Sequence, residues 1–250
     1  MSCSGCTSGH EYQGSPEGKM VDINGVCCYV GTPTATHDPR KALIFLTDMF
    51  GLTLRNNLLL VDDFARKGYL TIAPDYLNGD PAPPYAMNNP NFTSDMVKAW
   101  VQKHLPSVTR PPVDKVVQGL RDRGVTTIAV TGYCFGGRYA VDLACDGVAD
   151  VVIVSHPSQL VPKDFEPFAQ KAKAPLLLEM GDQDVELTVQ KQEQIDAILG
   201  DGKYAPGYKR ECWPGCAHGF AVRGDPLAPQ EFEGKKGSFD SSVAWLRKYF

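Results

Sequence analysis

Gly132-Tyr133-Cys134-Phe135-Gly136 reads as the end of a strand, a sharp turn and the start of a helix. Before it, Thr126-Thr127-Ile128-Ala129-Val130-Thr131 is β-branched and apolar, the composition of a buried strand. After it, Tyr139, Leu143 and Ala144 recur on one helical face. Between the two lies Gly-x-Cys-x-Gly. A residue at so tight a turn is held in a strained backbone conformation, and bulky neighbours would block the turn, so glycines flank it. The turn lifts the thiol to the end of the sheet and sets its sulfur at a helix N-terminus, where the dipole favours thiolate. A single cysteine is most often a small buried hydrophobe. The strand before Cys134 and the helix after it read instead as a nucleophile elbow.

Working outward, strand and helix signals alternate along the chain. Val26-Cys27-Cys28-Tyr29-Val30 predicts an early strand. Ala42-Leu43-Ile44-Phe45-Leu46 is a continuous apolar run, expected of a strand covered on both faces. Residues 56–67 predict a helix with Leu59, Leu60, Phe64 and Ala65 on one face and Gly68 as its C-cap. Tyr69-Leu70-Thr71-Ile72-Ala73 predicts the next strand, ended by Pro74. The irregular stretch 78–92 is rich in Pro and Asn, and loops of that length are usually functional or disordered. Its Tyr85, Met87 and Phe92 make 78–112 a candidate cap over a pocket, with a plain surface loop as the alternative. Helices are expected at 94–105 and 113–123, the second just after Pro111-Pro112. Strands at 150–154, 175–180 and 208–213 and helices at 164–173, 188–199 and 238–250 complete the pattern. The expectation is one α/β domain over 1–250: a mostly parallel sheet with helices on both faces, behind a lead-in at 1–20.

Composition narrows the function. Of the 250 residues 43% are hydrophobic and 22% charged, ordinary values for a globular chain, and the net charge is -4. Lys and Arg are scattered without a basic run, so no nucleic-acid partner is expected. No apolar run is long enough to span a bilayer. Met1-Ser2-Cys3-Ser4-Gly5-Cys6 has no basic region followed by an apolar stretch, so the expectation is a cytoplasmic protein with reduced thiols. The eight cysteines are too sparse for a disulfide scaffold. Cys3-x-x-Cys6 with His10 is half of a zinc pattern; Cys212 and Cys216 do not complete it, and no metal is expected. The same pair could be redox-active, although it lacks the strand-to-helix context of a thioredoxin motif; a loop at a chain end is the plain reading.

Ligands of such sheets bind at the carboxyl ends of the strands. The residues there are Thr47-Asp48-Met49-Phe50-Gly51, Cys134, Gly181-Asp182-Gln183-Asp184 and Pro214-Gly215-Cys216-Ala217-His218-Gly219-Phe220. Cysteine, acid and histidine thus follow in that chain order. A thiol nucleophile needs a base, and the base needs an acid to fix its tautomer. Of the five histidines (His10, His37, His104, His156 and His218), His218 alone follows the final strand in a Gly-flanked loop, with His156 its rival. Asp182 and Asp184 compete for the acid.

Gly132-Tyr133-Cys134-Phe135-Gly136-Gly137, Gly181-Asp182-Gln183-Asp184 and Ala217-His218-Gly219-Phe220-Ala221 together resemble the dienelactone hydrolase family, in its fungal or eukaryotic branch. Asp48-Met49-Phe50-Gly51, Pro74-Asp75-Tyr76 and Asn78-Gly79-Asp80 look similar too, and the resemblance runs from about residue 21 to the C-terminus. It implies an α/β-hydrolase fold, Asp184 as the acid, and oxyanion donors at the backbone N–H groups of Met49 and Phe135. It further implies Asp48 where the bacterial pattern has Glu, and Arg223, displaced by one residue, as the substrate-carboxylate ligand. Tyr85, Phe92 and Trp213 are pocket candidates.

The expected activity is hydrolysis of a lactone or small activated carboxylic ester through a Cys134–His218–Asp184 triad and a thioester acyl-enzyme, without metal or organic cofactor. A small-molecule substrate and a monomer or homodimer are expected. The alternatives are a carboxylesterase or thioesterase of other specificity, and a non-catalytic thiol-sensing protein built on the same fold. Hydride transfer is disfavoured, because no Gly-x-Gly-x-x-Gly follows an early strand.

Overall fold

In the computed structural model, which describes residues 5–250, eight strands form one sheet. They are β1 (Lys19–Ile23), β2 (Val26–Gly31), β3 (Lys41–Leu46), β4 (Thr71–Pro74), β5 (Thr127–Tyr133), β6 (Val151–Ser155), β7 (Leu176–Gly181) and β8 (Tyr208–Trp213). The spatial order is β1-β2-β4-β3-β5-β6-β7-β8. Strands β3 to β8 run parallel, and β2 is antiparallel to both of its neighbours, β1 and β4. Eight helices accompany them among the described residues: α1 (Arg55–Arg66), α2 (Ser94–Lys103), α3 (Pro106–Asp122), α4 (Phe135–Cys145), α5 (Phe165–Lys171), α6 (Val189–Leu199), α7 (Phe220–Arg223) and α8 (Pro229–Tyr249).

The apolar runs become the central strands because both of their faces are covered. Every residue of β6 and β7 is buried, as are all of β3 after Lys41 and all of β5 after Thr127. Successive residues point to opposite faces. Tyr133 stacks on Phe45 with ring centroids 4.8 Å apart, and Phe64 of α1 and Phe239 of α8 close that side. Gly132 faces the other side, where α4 lies. A Cβ there would stand 2.6 Å from the Gly136 carbonyl oxygen, and one on Gly136 would stand 2.2 Å from that of Leu46. These absent side chains let α4 lie directly on β3 and β5, which places its first turn beside the strand ends.

Four elements depart from the sequence expectation, one of them the single-turn α7, which follows the Gly-flanked His218 loop directly. Strand β1 is not anticipated, since only Ile23 of its five residues is buried and no alternation marks it. The hairpin signal was Asn24-Gly25, whose φ values of 54° and 78° suit the two-residue turn into β2. Helix α3 starts at Pro106 and runs through Pro111 and Pro112 instead of starting after them. Pro112 has no N–H for the Val108 carbonyl, which instead accepts from Asn78 Nδ2 at 3.2 Å. Helix α8 begins at Pro229, where expectation put the start at 238; Gly234 and Gly237 dilute the helical signal but pack on Cys216 and Trp213. Cys3, read as half of a cysteine pair, lies outside the described residues. No helix among those described is long and apolar enough to cross a membrane.

Glu179 is buried inside β7, and burial pushes its carboxyl up to about 8 despite a 2.7 Å hydrogen bond from Trp213 Nε1. Between its ordinary value of 4.5 and about 8 the folded state keeps a proton that the unfolded chain has released. Its contribution to stability therefore falls as pH rises through that window. Glu179→Gln should flatten the decline of the melting temperature between pH 5 and 8.5. Superimposable profiles for the two proteins would show that Glu179 is not protonated in the fold.

Candidate active site

Cys134 stands between β5 and α4 with φ 50° and ψ −113°, a conformation of order 1–3 kcal/mol above the relaxed backbone. Hydrogen bonds hold it there. Its N–H donates to the Ser155 carbonyl at 3.2 Å, and its own carbonyl accepts from Ser158 N at 2.9 Å and Gly137 N at 3.1 Å. The thiol is fully buried, with Ser158 Oγ 3.7 Å from Sγ. Phe135 opens α4. Met49 lies in the loop after β3, and its carbonyl accepts from Ala82 N at 2.8 Å.

The loops after β7 and β8 bring the acid and the histidine together, since Gln183 N donates to the Cys216 carbonyl at 3.0 Å. His218 Nδ1 lies 3.0 and 3.2 Å from the two Asp184 oxygens. Asp184 is oriented from behind by Glu186 N at 2.8 Å. Asp182 instead faces the turn, accepting from Gly215 N at 2.8 Å. Burial works against charge on the His218 ring. The Cys134 sulfur and the Asp184 carboxylate outweigh it, and the imidazole is pushed up to about 10. His156, the rival, sits edge-on 5.2 Å from the His218 ring. Neither of its ring nitrogens has a hydrogen-bond partner among the described residues, and burial, then the neighbouring His218 and Arg223, hold it well below the usual histidine range.

The other candidates are placed as follows. Asp48 is buried and forms an ion pair with the equally buried Arg223. Its second oxygen accepts from Phe50 N at 3.1 Å and Asn57 Nδ2 at 2.9 Å. Tyr85 is 68% exposed and is not among the residues around Cys134. Trp213 is committed to Glu179, and Phe92 packs on the core. The cavity at Cys134 is about 10 Å³, room for roughly one water molecule. Met49, Phe135, Trp100, Ser158 and Cys6 line it. Trp100 and Ser158 were not read from the sequence, since they carry no motif; Cys6 was read only as part of a chain-end pair, 128 residues from Cys134. Cys6 Sγ, Cys134 Sγ and a His218 ring nitrogen lie within 4.8 Å of one another, but Cys6 is disulfide-bonded, against the expectation of reduced thiols, and so supplies no thiolate for a metal ion.

Residues 26–250 match the model of the dienelactone hydrolase family. The chain belongs to that family. Hydrolase pyvD of Aspergillus violaceofuscus is 32% identical over 247 residues, covering 98% of this chain and 95% of the relative. Dienlactone hydrolase 1 of Gibberella moniliformis is 29% identical over 248 residues, covering 96% and 91%. Among solved structures, a Klebsiella pneumoniae protein of dienelactone-hydrolase type superposes with a TM-score of 0.73 at 21% identity, covering 90% of this chain and 93% of that one, a likeness of fold. The chain is accordingly a carboxylic ester hydrolase of the dienelactone hydrolase family with an α/β-hydrolase fold.

Two measurements check this electrostatic arrangement. Nitrogen-15 histidine NMR at pH 7 should show His218 as imidazolium and His156 as neutral imidazole; the reverse assignment would overturn it. Asp48→Ala leaves Arg223 buried without its partner and should cost about 3–5 kcal/mol in urea unfolding, part of which Asp48→Ala/Arg223→Met recovers. Equal stability of the single variant and wild type would show that the pair is not formed.

Proposed function

We propose that this dienelactone hydrolase family member cleaves a lactone or small activated carboxylic ester, with Cys134 as nucleophile, His218 as base and Asp184 as the acid that orients it. One observation carries the reading: His218 is bracketed by the Asp184 carboxylate on one side and the Cys134 sulfur on the other, all three buried. The name of the Gibberella moniliformis relative supports a lactone as the substrate class.

The thiolate attacks the carbonyl carbon, and the oxyanion is received by the N–H groups of Met49 and Phe135. Collapse breaks the carbon–oxygen bond of the ring. The ring oxygen leaves as an enolate or alkoxide that takes the proton of the His218 imidazolium, and the acyl group stays on sulfur as a thioester. His218 then takes a proton from water, whose hydroxide releases the acid and restores the thiolate. Cysteine suits this substrate class, because a thioester hydrolyses readily and an enol-type leaving group needs little protonation. Arg223 could meet a substrate carboxylate only after releasing Asp48 and the N-terminal carbonyls it now holds.

Turnover of an enol lactone and of p-nitrophenyl acetate tests the proposal. Cys134→Ala should lose roughly 10³-fold or more in kcat/KM. Asp184→Asn should lower kcat by about 10²–10⁴-fold with the fold intact. Activity surviving in a folded Cys134→Ala protein would remove Cys134 as the nucleophile.

A further inference from the structure

The N-terminal segment is seated on top of the nucleophile. Gly5–Thr7 forms one 3-10 turn, and within it Cys6 is only 4% exposed. Cys6 Sγ lies 3.7 Å from Cys134 Sγ and 3.7 Å from His218 Nε2. Gly5 lies so close to His218 that a Cβ on it would stand 2.7 Å from the histidine Cβ.

Two side chains strap this turn down. Arg223 donates to the Cys6 carbonyl at 3.1 Å and to the Ser8 carbonyl at 3.0 Å, while its own carbonyl accepts from His10 N at 2.8 Å. Opposite it, Asn88 Oδ1 accepts from Gly9 N at 3.0 Å and Asn88 Nδ2 donates to the Gly9 carbonyl at 2.6 Å. Asn88 N donates to the Thr7 carbonyl at 2.8 Å. Asp48 in turn fixes Arg223. The segment is therefore tied to the same buried ion pair that stands behind the site.

Cys6 is disulfide-bonded, whereas Cys134 is a free thiol. A thiol sulfur in contact with a disulfide sulfur, beside an imidazole, is within reach of thiol–disulfide exchange. We infer that Cys6 and Cys134 form a thiol–disulfide latch that takes the nucleophile out of service and returns it. The Cys134 thiolate attacks Cys6 Sγ, and a Cys134–Cys6 bond forms. The existing bond of Cys6 breaks, and its electron pair leaves on the sulfur formerly bonded to Cys6, which takes a proton from water. One thiol is consumed and one is released, so the step needs no external oxidant. The product fastens the N-terminal turn covalently over the cavity. A dithiol reductant cleaves the bond and frees Cys134.

The exchange stands on geometry alone; its effect on catalysis rests on Cys134 being the nucleophile, as proposed above. The test is non-reducing peptide mapping of the full chain, acid-quenched and alkylated after equilibration in reduced and oxidised glutathione. The latch predicts a peptide joining Cys6 to Cys134 and, in that fraction, loss of the Cys134 alkyl adduct matched by one new adduct on the thiol released from Cys6. Hydrolysis of p-nitrophenyl acetate should fall in proportion to the joined fraction and return with dithiothreitol. Cys6→Ser should give no joined peptide and no response to dithiothreitol. Absence of the joined peptide at every glutathione ratio, with Cys134 alkylated throughout, would overturn the latch. A joined peptide with hydrolysis unaffected would uphold the exchange and instead overturn Cys134 as the nucleophile.

Discussion

The strained backbone of Cys134 is the constraint on which the rest of the site depends. At φ 50° and ψ −113° it turns the chain from β5 into α4 within one residue. Such a conformation persists only where its surroundings over-determine it. Three backbone hydrogen bonds and the contact of α4 with β3 and β5 across Gly132 and Gly136 supply that support. A side chain at either glycine would push the helix off the sheet. The position of Sγ relative to Met49, Phe135 and His218 would then be lost before any reacting group was altered.

Burial does the remaining work. His218, Asp184, Cys134, Asp48 and Arg223 are all removed from water, and each charge is met by a partner. His156 shows the alternative outcome: buried as deeply, with no hydrogen bond to either ring nitrogen among the described residues, it is driven toward the neutral form. The two histidines, with ring centroids 5.2 Å apart, are thus pushed in opposite directions, His156 down by burial first and His218 up by the Cys134 sulfur and the Asp184 carboxylate. The Asp48–Arg223 pair links this interior to the N-terminal turn, because the guanidinium that faces Asp48 also holds the carbonyls of Cys6 and Ser8.

Much of this was legible in the sequence, for local reasons. The elbow is announced by a β-branched run ending at a glycine-flanked cysteine, and the central strands by apolar runs that only double coverage explains. The choice between Asp182 and Asp184 was not legible from spacing, since both follow the same strand. The resemblance to the family pointed to Asp184, and in the fold Asp184 turns inward to His218 while Asp182 caps a surface turn. Pro111 and Pro112 misled because a side chain from a distant loop takes over the carbonyl that Pro112 leaves unbonded. Tyr85 misled because an aromatic residue in a long loop carries no sign of which way it faces. The contact of Cys6 with Cys134 could not be read at all, because it depends on where two buried side chains of separate segments anchor the chain end.

The central claim is that acyl transfer passes through sulfur at position 134. Rapid acid quench of the enzyme with p-nitrophenyl acetate, followed by peptide mass spectrometry, reads this directly. An acetyl group on the peptide carrying Cys134, labile to hydroxylamine as a thioester is, is the predicted result. Acetylation confined to Ser158, whose hydroxyl oxygen lies 3.7 Å from that sulfur, would contradict the account.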